Sequence, residues 1–327
     1  MHGRRRFVWW ILLLVAALPG TACREQPAAS GTGSPPPAAR VSDADLAAAI
    51  DRSAHYLAGL CDERGQFTYR TNLDPGIETE PAYNELRHAG AVYALAQYGG
   101  RYPDTVVHDA MRRGAQFLRR EFLEPVAGNA HMLAAWSTPE VAGDDRQRQA
   151  KLGGTGLALV ALLSVEQVAP DSTPLDELRA LGRFVIFMQK SDGTFYSKFF
   201  PDTGRSDAWQ SDYYPGEAAL GLLMLYAKDP APQWLRTAAK ALDGIARRGA
   251  SSRPTFPVQW FLLATDRMMQ LAPDASLPMS RPAVLEHAQR VCEDMLSEQQ
   301  SQIHHPRIAG CYTSDGRSCP TATRLEG

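Results

Sequence analysis

The chain has 327 residues, with 34 Lys and Arg against 36 Asp and Glu, and a formal net charge of −2. A balance this close to zero, with no basic run except Arg4-Arg5-Arg6, excludes the positive face that nucleic-acid binding needs. The length admits one large core or two small ones.

Arg4-Arg5-Arg6 leads into an unbroken apolar run from Phe7 to Leu18, then into Pro19-Gly20-Thr21-Ala22-Cys23. A positive start, a short apolar stretch and small residues at a cleavage point predict an export signal over residues 1–22. The run is shorter than the ~20 residues a membrane span needs. The Ala22-Cys23 junction resembles the lipobox of bacterial lipoproteins, with Gly20 where that pattern carries Leu. That resemblance implies lipid attachment at Cys23; ordinary cleavage after Ala22 is the alternative. Residues 23–42 are rich in Pro, Gly, Ser and Ala without an apolar period, the composition of a tether. The expected location is the bacterial cell envelope, with the folded part held to a membrane by an N-terminal lipid.

From residue 43 onward the pattern is helical. A first helix is predicted from Ser42 to Cys61, with Asp in its first turn. Gln66 to Arg70 alternates briefly, like a short strand. Tyr83–Gln97 is apolar at helical spacing and ends at Gly99-Gly100, and Thr105–Phe122 is a more charged helix. Leu152–Val168 and Tyr214–Ala227 are apolar nearly all round, and Phe256–Leu271 is apolar with aromatics. Between them, Pro174–Lys190, Pro232–Arg247 and Pro282–Gln299 expose a polar face. A further inner helix begins at Ala322. Buried helices thus alternate with amphipathic ones, as in an all-α, (α/α)6-type helical toroid; a solenoid of helix pairs is the alternative. Five outer and four complete inner helices fall short of six closed hairpins, so the ring is expected to be open, or the chain to continue past Gly327.

The loops repeat as well. Arg64-Gly65-Gln66-Phe67-Thr68-Tyr69, Asp192-Gly193-Thr194-Phe195-Tyr196-Ser197 and the looser Cys311–Gly316 each follow an outer helix and precede an inner one. Polar and aromatic clusters meet the inner helix starts at Tyr83–Gly90, Lys151–Gly154, Asp212–Glu217 and Thr323–Glu326. Recurrence at about one helical hairpin places them on one shared rim.

With Gln189–Phe195 and the alternating hairpins, these segments resemble the six-hairpin (α/α)6 glycosidase superfamily. Asn84–Ala94, Asp212–Ala219 and Ala322–Gly327 resemble a set of bacterial members, some of them similar to the C-terminal domain of glucuronyl C5-epimerases. The resemblance spans most of residues 43–327. It implies action on a polysaccharide or oligosaccharide, by glycoside hydrolysis or by uronate epimerisation or elimination.

The residues themselves offer candidates for that chemistry. Glu217 and Glu326 are carboxylates on helix starts, as an acid and its partner would be in glycoside hydrolysis. His88 and Tyr213 are candidate proton carriers. Tyr83, Arg87, Tyr214, Lys151, Lys198 and Arg324 are candidate substrate-binding groups, Arg87 for a carboxylate held in bidentate fashion. Each has a structural alternative: an Arg–Glu85 tie between loops, a satisfied buried histidine, a carboxylate favoured by the helix dipole at Glu217, or a core tyrosine. A non-catalytic glycan- or peptide-binding lipoprotein fits the same rim. The four later cysteines suggest Cys311–Cys319 and Cys61–Cys292 pairs, with free thiols as the alternative. Cys311, Cys319, His304 and His305 match no strong zinc spacing, and no metal or other cofactor is expected.

Overall fold

The computed structural model describes residues 41–72, 74, 76–79, 82–142, 147–250, 259–272, 276–301, 310–312 and 318–327. The export signal, Cys23, nearly all of the tether, His304 and His305 lie outside the described residues, as does most of the third repeated loop. Residues Ala44–Gly327 form one compact unit.

The helices are α1 Asp43–Gly59, α2 Glu85–Gly99, α3 Thr105–Phe122, α4 Pro139–Ala142, α5 Leu152–Val168 and α6 Leu175–Phe187. They continue as α7 Tyr214–Lys228, α8 Pro232–Gly249, α9 Gln259–Leu271, α10 Arg281–Ser301 and α11 Ser318–Glu326. The inner set is α2, α5, α7, α9 and α11. α5 buries every residue from Leu152 to Glu166, which requires protein on all sides. The outer helix α3 buries only a stripe, including Val107, Ala110, Met111, Gly114 and Leu118, at the spacing of one helix face.

α2 packs beside α5, α5 beside α7 and α7 beside α9, while α3 backs α2 and α8 backs α7. Glycine sets the closest approach. A side chain at Gly156 would meet the backbone nitrogen of Ala218 at 2.8 Å, so α5 and α7 touch backbone to backbone. Across the ring Tyr93 of α2 meets Trp260 of α9, with ring centres 5.9 Å apart. α11 begins four residues earlier than the sequence reading placed it, and its end reaches Tyr93 and Gln97 on α2.

The repeated loops are structural equivalents. Gly65 and Gly193 hold φ of +92° and +89°, and a side chain on either would collide with a backbone carbonyl, Arg113 O or Lys240 O, on the next outer helix. The phenylalanine two residues on, Phe67 or Phe195, is then buried. Gln66–Arg70 is not a strand: a single bridge, Cys61 to Phe67, replaces it, because the tight glycine turn leaves one residue pair in register.

A small antiparallel sheet joins the rim, formed by β1 Leu123–Val126, β2 Asn129–Ser137, β3 Gln149–Lys151, β4 Lys198–Phe200 and β5 Gly204–Ser206 in that order. It bridges the connections from α3 to α5 and from α6 to α7. β3 and β4 set Lys151 opposite Lys198, so both side chains leave the same face. Neither proposed disulfide forms: Cys61, Cys292, Cys311 and Cys319 are free. Cys61 is buried with Sγ 3.6 Å from Ala110 O, whereas Cys292 is exposed on α10, a helix that packs on α8 and α9.

Candidate functional site

The inner helices start side by side, and their first residues form one cluster. Ser211 positions the start of α7: its Oγ accepts from Tyr213 N at 3.2 Å and Tyr214 N at 3.4 Å. Its own N–H donates to Ser197 Oγ at 2.9 Å, which ties the turn to the sheet. Pro215 fills the first helical turn, where its missing N–H costs nothing. Glu217 follows inside that turn.

Glu217 is 4 % exposed. Its Oε2 has no hydrogen-bond partner among the described residues. The carboxyl presses against Gly153 at the start of α5, where any side chain would collide with it and with the Tyr214 ring. Burial alone pushes Glu217 from 4.5 up to about 8, because an ion stripped of water and unpaired is strongly disfavoured. Glu217 therefore carries its proton at neutral pH.

A second carboxylate lies on the other side of the glycine pair. Glu85, first residue of α2, packs on Gly154 and is 1 % exposed. Lys151 Nζ stands 2.8 Å from its Oε1, and this pairing stabilises two charges that could not otherwise be buried. Tyr214 faces both acids. Burial first, then the charges of Glu217 and Glu85, push its phenol up, so it keeps its proton. Its ring meets Trp209 edge to face at 5.6 Å, and Lys198 Nζ lies over the Trp209 ring at 5.1 Å. Trp209 and Tyr213 are 48 % and 41 % exposed, so the cluster presents two aromatic side chains to solvent beside a buried carboxyl.

The other candidates sit elsewhere or act structurally. His88 has both ring nitrogens engaged: Nε2 donates to Gly114 O at 2.8 Å, and Nδ1 accepts from the Tyr83 hydroxyl at 2.8 Å. That hydroxyl accepts from Phe67 N at 2.8 Å, and the Tyr83 ring stacks on Phe122. Burial holds His88 down at about 4, a neutral histidine with no nitrogen left for substrate. His88 and Tyr83 therefore pin the first repeated loop to α2 and α3. Arg87 is exposed, its guanidinium 4.9 Å from the Tyr69 ring centre. Arg324 pairs with Glu298 at 3.1 Å and lies near enough to Tyr213 for its charge to act on the phenol.

Glu326 does not face Glu217. It reaches Tyr93 and Gln97, part of the way down α2, where burial pushes its carboxyl up. The carboxylate that shares Tyr214 with Glu217 is Glu85. From sequence Glu85 is either functional or one end of an Arg–Glu tie between loops, and Trp209 is not singled out; a tryptophan in a polar run just before Tyr213 is the available signal. No group of three metal-ligating side chains converges among the described residues.

The chain has the fold of an (α/α)6-type helical toroid. It is similar to a D-mannose isomerase, with a TM-score of 0.57 and 15% identity over 79% of this chain and 71% of that one. It is similar to the cellobiose 2-epimerase of Bacillus thermoamylovorans, with a TM-score of 0.60 and 10% identity over 77% and 73% of the two chains. The unsaturated glucuronyl hydrolase of Bacillus sp. GL1 aligns with a TM-score of 0.53 and 13% identity over 78% and 69%. No family model matches the sequence, and no curated protein matches it.

Proposed function

We propose that the protein is a carbohydrate-active enzyme of the cell envelope, working at the rim where the inner helices begin. Glu217 is the proton donor, Glu85 with Lys151 fixes the adjoining charge, and Trp209 with Tyr213 and Tyr214 receives the sugar ring. The observation that carries this reading is the buried, unpartnered Oε2 of Glu217 with its proton retained to about pH 8. A neutral carboxylic acid at working pH is what protonation of a leaving oxygen or of a carbanion needs. The isomerase, epimerase and hydrolase whose folds it shares act on sugars, as their names state, which supports the class of substrate. Lys198 beside Trp209, and Arg87, favour a polymer that carries carboxylates. A lipid at Cys23, which the lipobox resemblance implies, would keep the protein at the envelope.

The exposure of Trp209 and Tyr213, set against the near-complete enclosure of Glu217, favours a second reading. In it the aromatic faces bind glycan and no chemistry follows. Incubating residues 42–327 with neutral and uronic polysaccharides separates the two. New reducing ends mark hydrolysis, solvent deuterium at C5 marks epimerisation, and unsaturated ends mark elimination. Retention on immobilised glycan with none of these leaves the binding reading.

A further inference from the structure

The small sheet has two unlike faces. Residues paired across neighbouring strands share a face, and so do alternate residues along one strand. One face is apolar: Trp136 meets Phe199 edge to face at 6.0 Å, and Phe199 packs on Phe184 and Phe187 of α6. The register places Ser137, Gln149, Lys151, Lys198 and Ser206 on the other face. This polar face is turned to the rim, because Lys151 Nζ ends 2.8 Å from Glu85 at the start of α2 and Lys198 Nζ ends over the Trp209 ring.

The lysines of this face and Ser206 have their polar ends engaged within the chain: Lys151 by Glu85, Lys198 by Trp209, and Ser206 by Ala208 N, which donates to its Oγ at 3.3 Å. Gln149 differs. It is 4 % exposed, and its Oε1 has no hydrogen-bond donor among the described residues. An enclosed carbonyl oxygen has given up water and needs a donor in exchange. The substrate is the simplest source of that donor, since Gln149 stands two residues from Lys151 on the same side of β3. A primary amide carries an acceptor and donors side by side. Two neighbouring hydroxyls of a sugar ring match it, one donating to the amide oxygen and one accepting from the amide N–H.

We propose that Gln149, at a rim read as a saccharide site, determines its specificity: the amide holds two neighbouring hydroxyls of the sugar, on a sheet wall that also carries Lys151 and Lys198. Gln149 binds substrate and takes no part in proton transfer. An apolar side chain of similar length would remove an unpartnered buried group, so it costs the free protein no stability.

The test is calorimetric titration of the full chain with cellotetraose, mannotetraose and tetragalacturonate, beside urea unfolding, for wild type, Gln149→Met and Gln149→Asn. Gln149→Met binds the saccharide that wild type prefers about tenfold or more weakly, and unfolds at no lower urea concentration than wild type. Gln149→Asn, whose amide is drawn back by one methylene, also binds it more weakly. Affinity unchanged in both variants overturns the proposal and leaves the rim reading standing. A Gln149→Met that unfolds at clearly lower urea overturns it too, because the amide then holds the fold. Binding of none of these saccharides by wild type overturns the rim reading, and this proposal with it.

Discussion

Glu217→Gln replaces a carboxyl that titrates by an amide that does not. In the unfolded chain the carboxyl ionises near 4.5; in the folded protein it holds its proton to about 8. Below 4.5 both states are protonated and the group has no pH-dependent effect. Between the two values the unfolded state releases a proton that the folded state keeps, so stability falls as pH rises. At 1.36 kcal/mol per pKa unit, the loss reaches about 3 kcal/mol at pH 7 and levels off near 5 kcal/mol above pH 8. The groups facing Glu217 do not mask this: Tyr214 stays protonated and Glu85 is paired with Lys151. The amide will shift stability by some constant amount, but not with pH. Urea unfolding of both proteins from pH 5 to pH 8.5 should therefore show the variant gaining on wild type by several kcal/mol as pH rises. A difference that stays constant across that range would refute a buried, protonated Glu217.

Four further outcomes are expected. His88, held down at about 4 against an ordinary 6.5, contributes stability that is lost as pH falls from 6.5 toward 4, by roughly 3 kcal/mol; its imidazole signals should not titrate above pH 5 by NMR. Lys151→Met leaves Glu85 buried without its cation and should destabilise by about 3–5 kcal/mol in chemical denaturation. Gly193→Ala forces a side chain into positive φ and against Lys240 O, so the thermal midpoint should drop by the equivalent of at least ~1 kcal/mol. Trp209→Ala, at an exposed ring, should change stability by less than about 0.5 kcal/mol while abolishing retention on glycan.

The alternation of helices was legible because it is a property of period: α5 has no polar face, and α3 and α8 have one each. The repeated loops were legible for a similar reason, since a glycine forced to positive φ and a buried phenylalanine are both visible as letters. The sheet was not. β1 continues directly from α3 and contains Pro125, and β2 is alanine-rich with little alternation, so neither carries a strand signal. Site assignments depended on which face of a helix start turns inward. His88 reads as a proton carrier and Tyr83 as a substrate-binding group, but the hydrogen bonds to Phe67 N and Gly114 O that make them structural come from residues distant in sequence. Glu326 misled in a related way: its helix starts at the rim, but nine residues carry its carboxyl down to Tyr93.

The most direct test of the rim as an active site is the pH dependence of turnover by residues 42–327 and by the Glu217→Gln variant, on whichever polysaccharide reacts. The account predicts a rate that falls as pH rises through about 8, and a loss of about 10²–10⁴-fold in the variant, the contribution of a general acid. A variant that retains the wild-type rate and the same pH limb would contradict it.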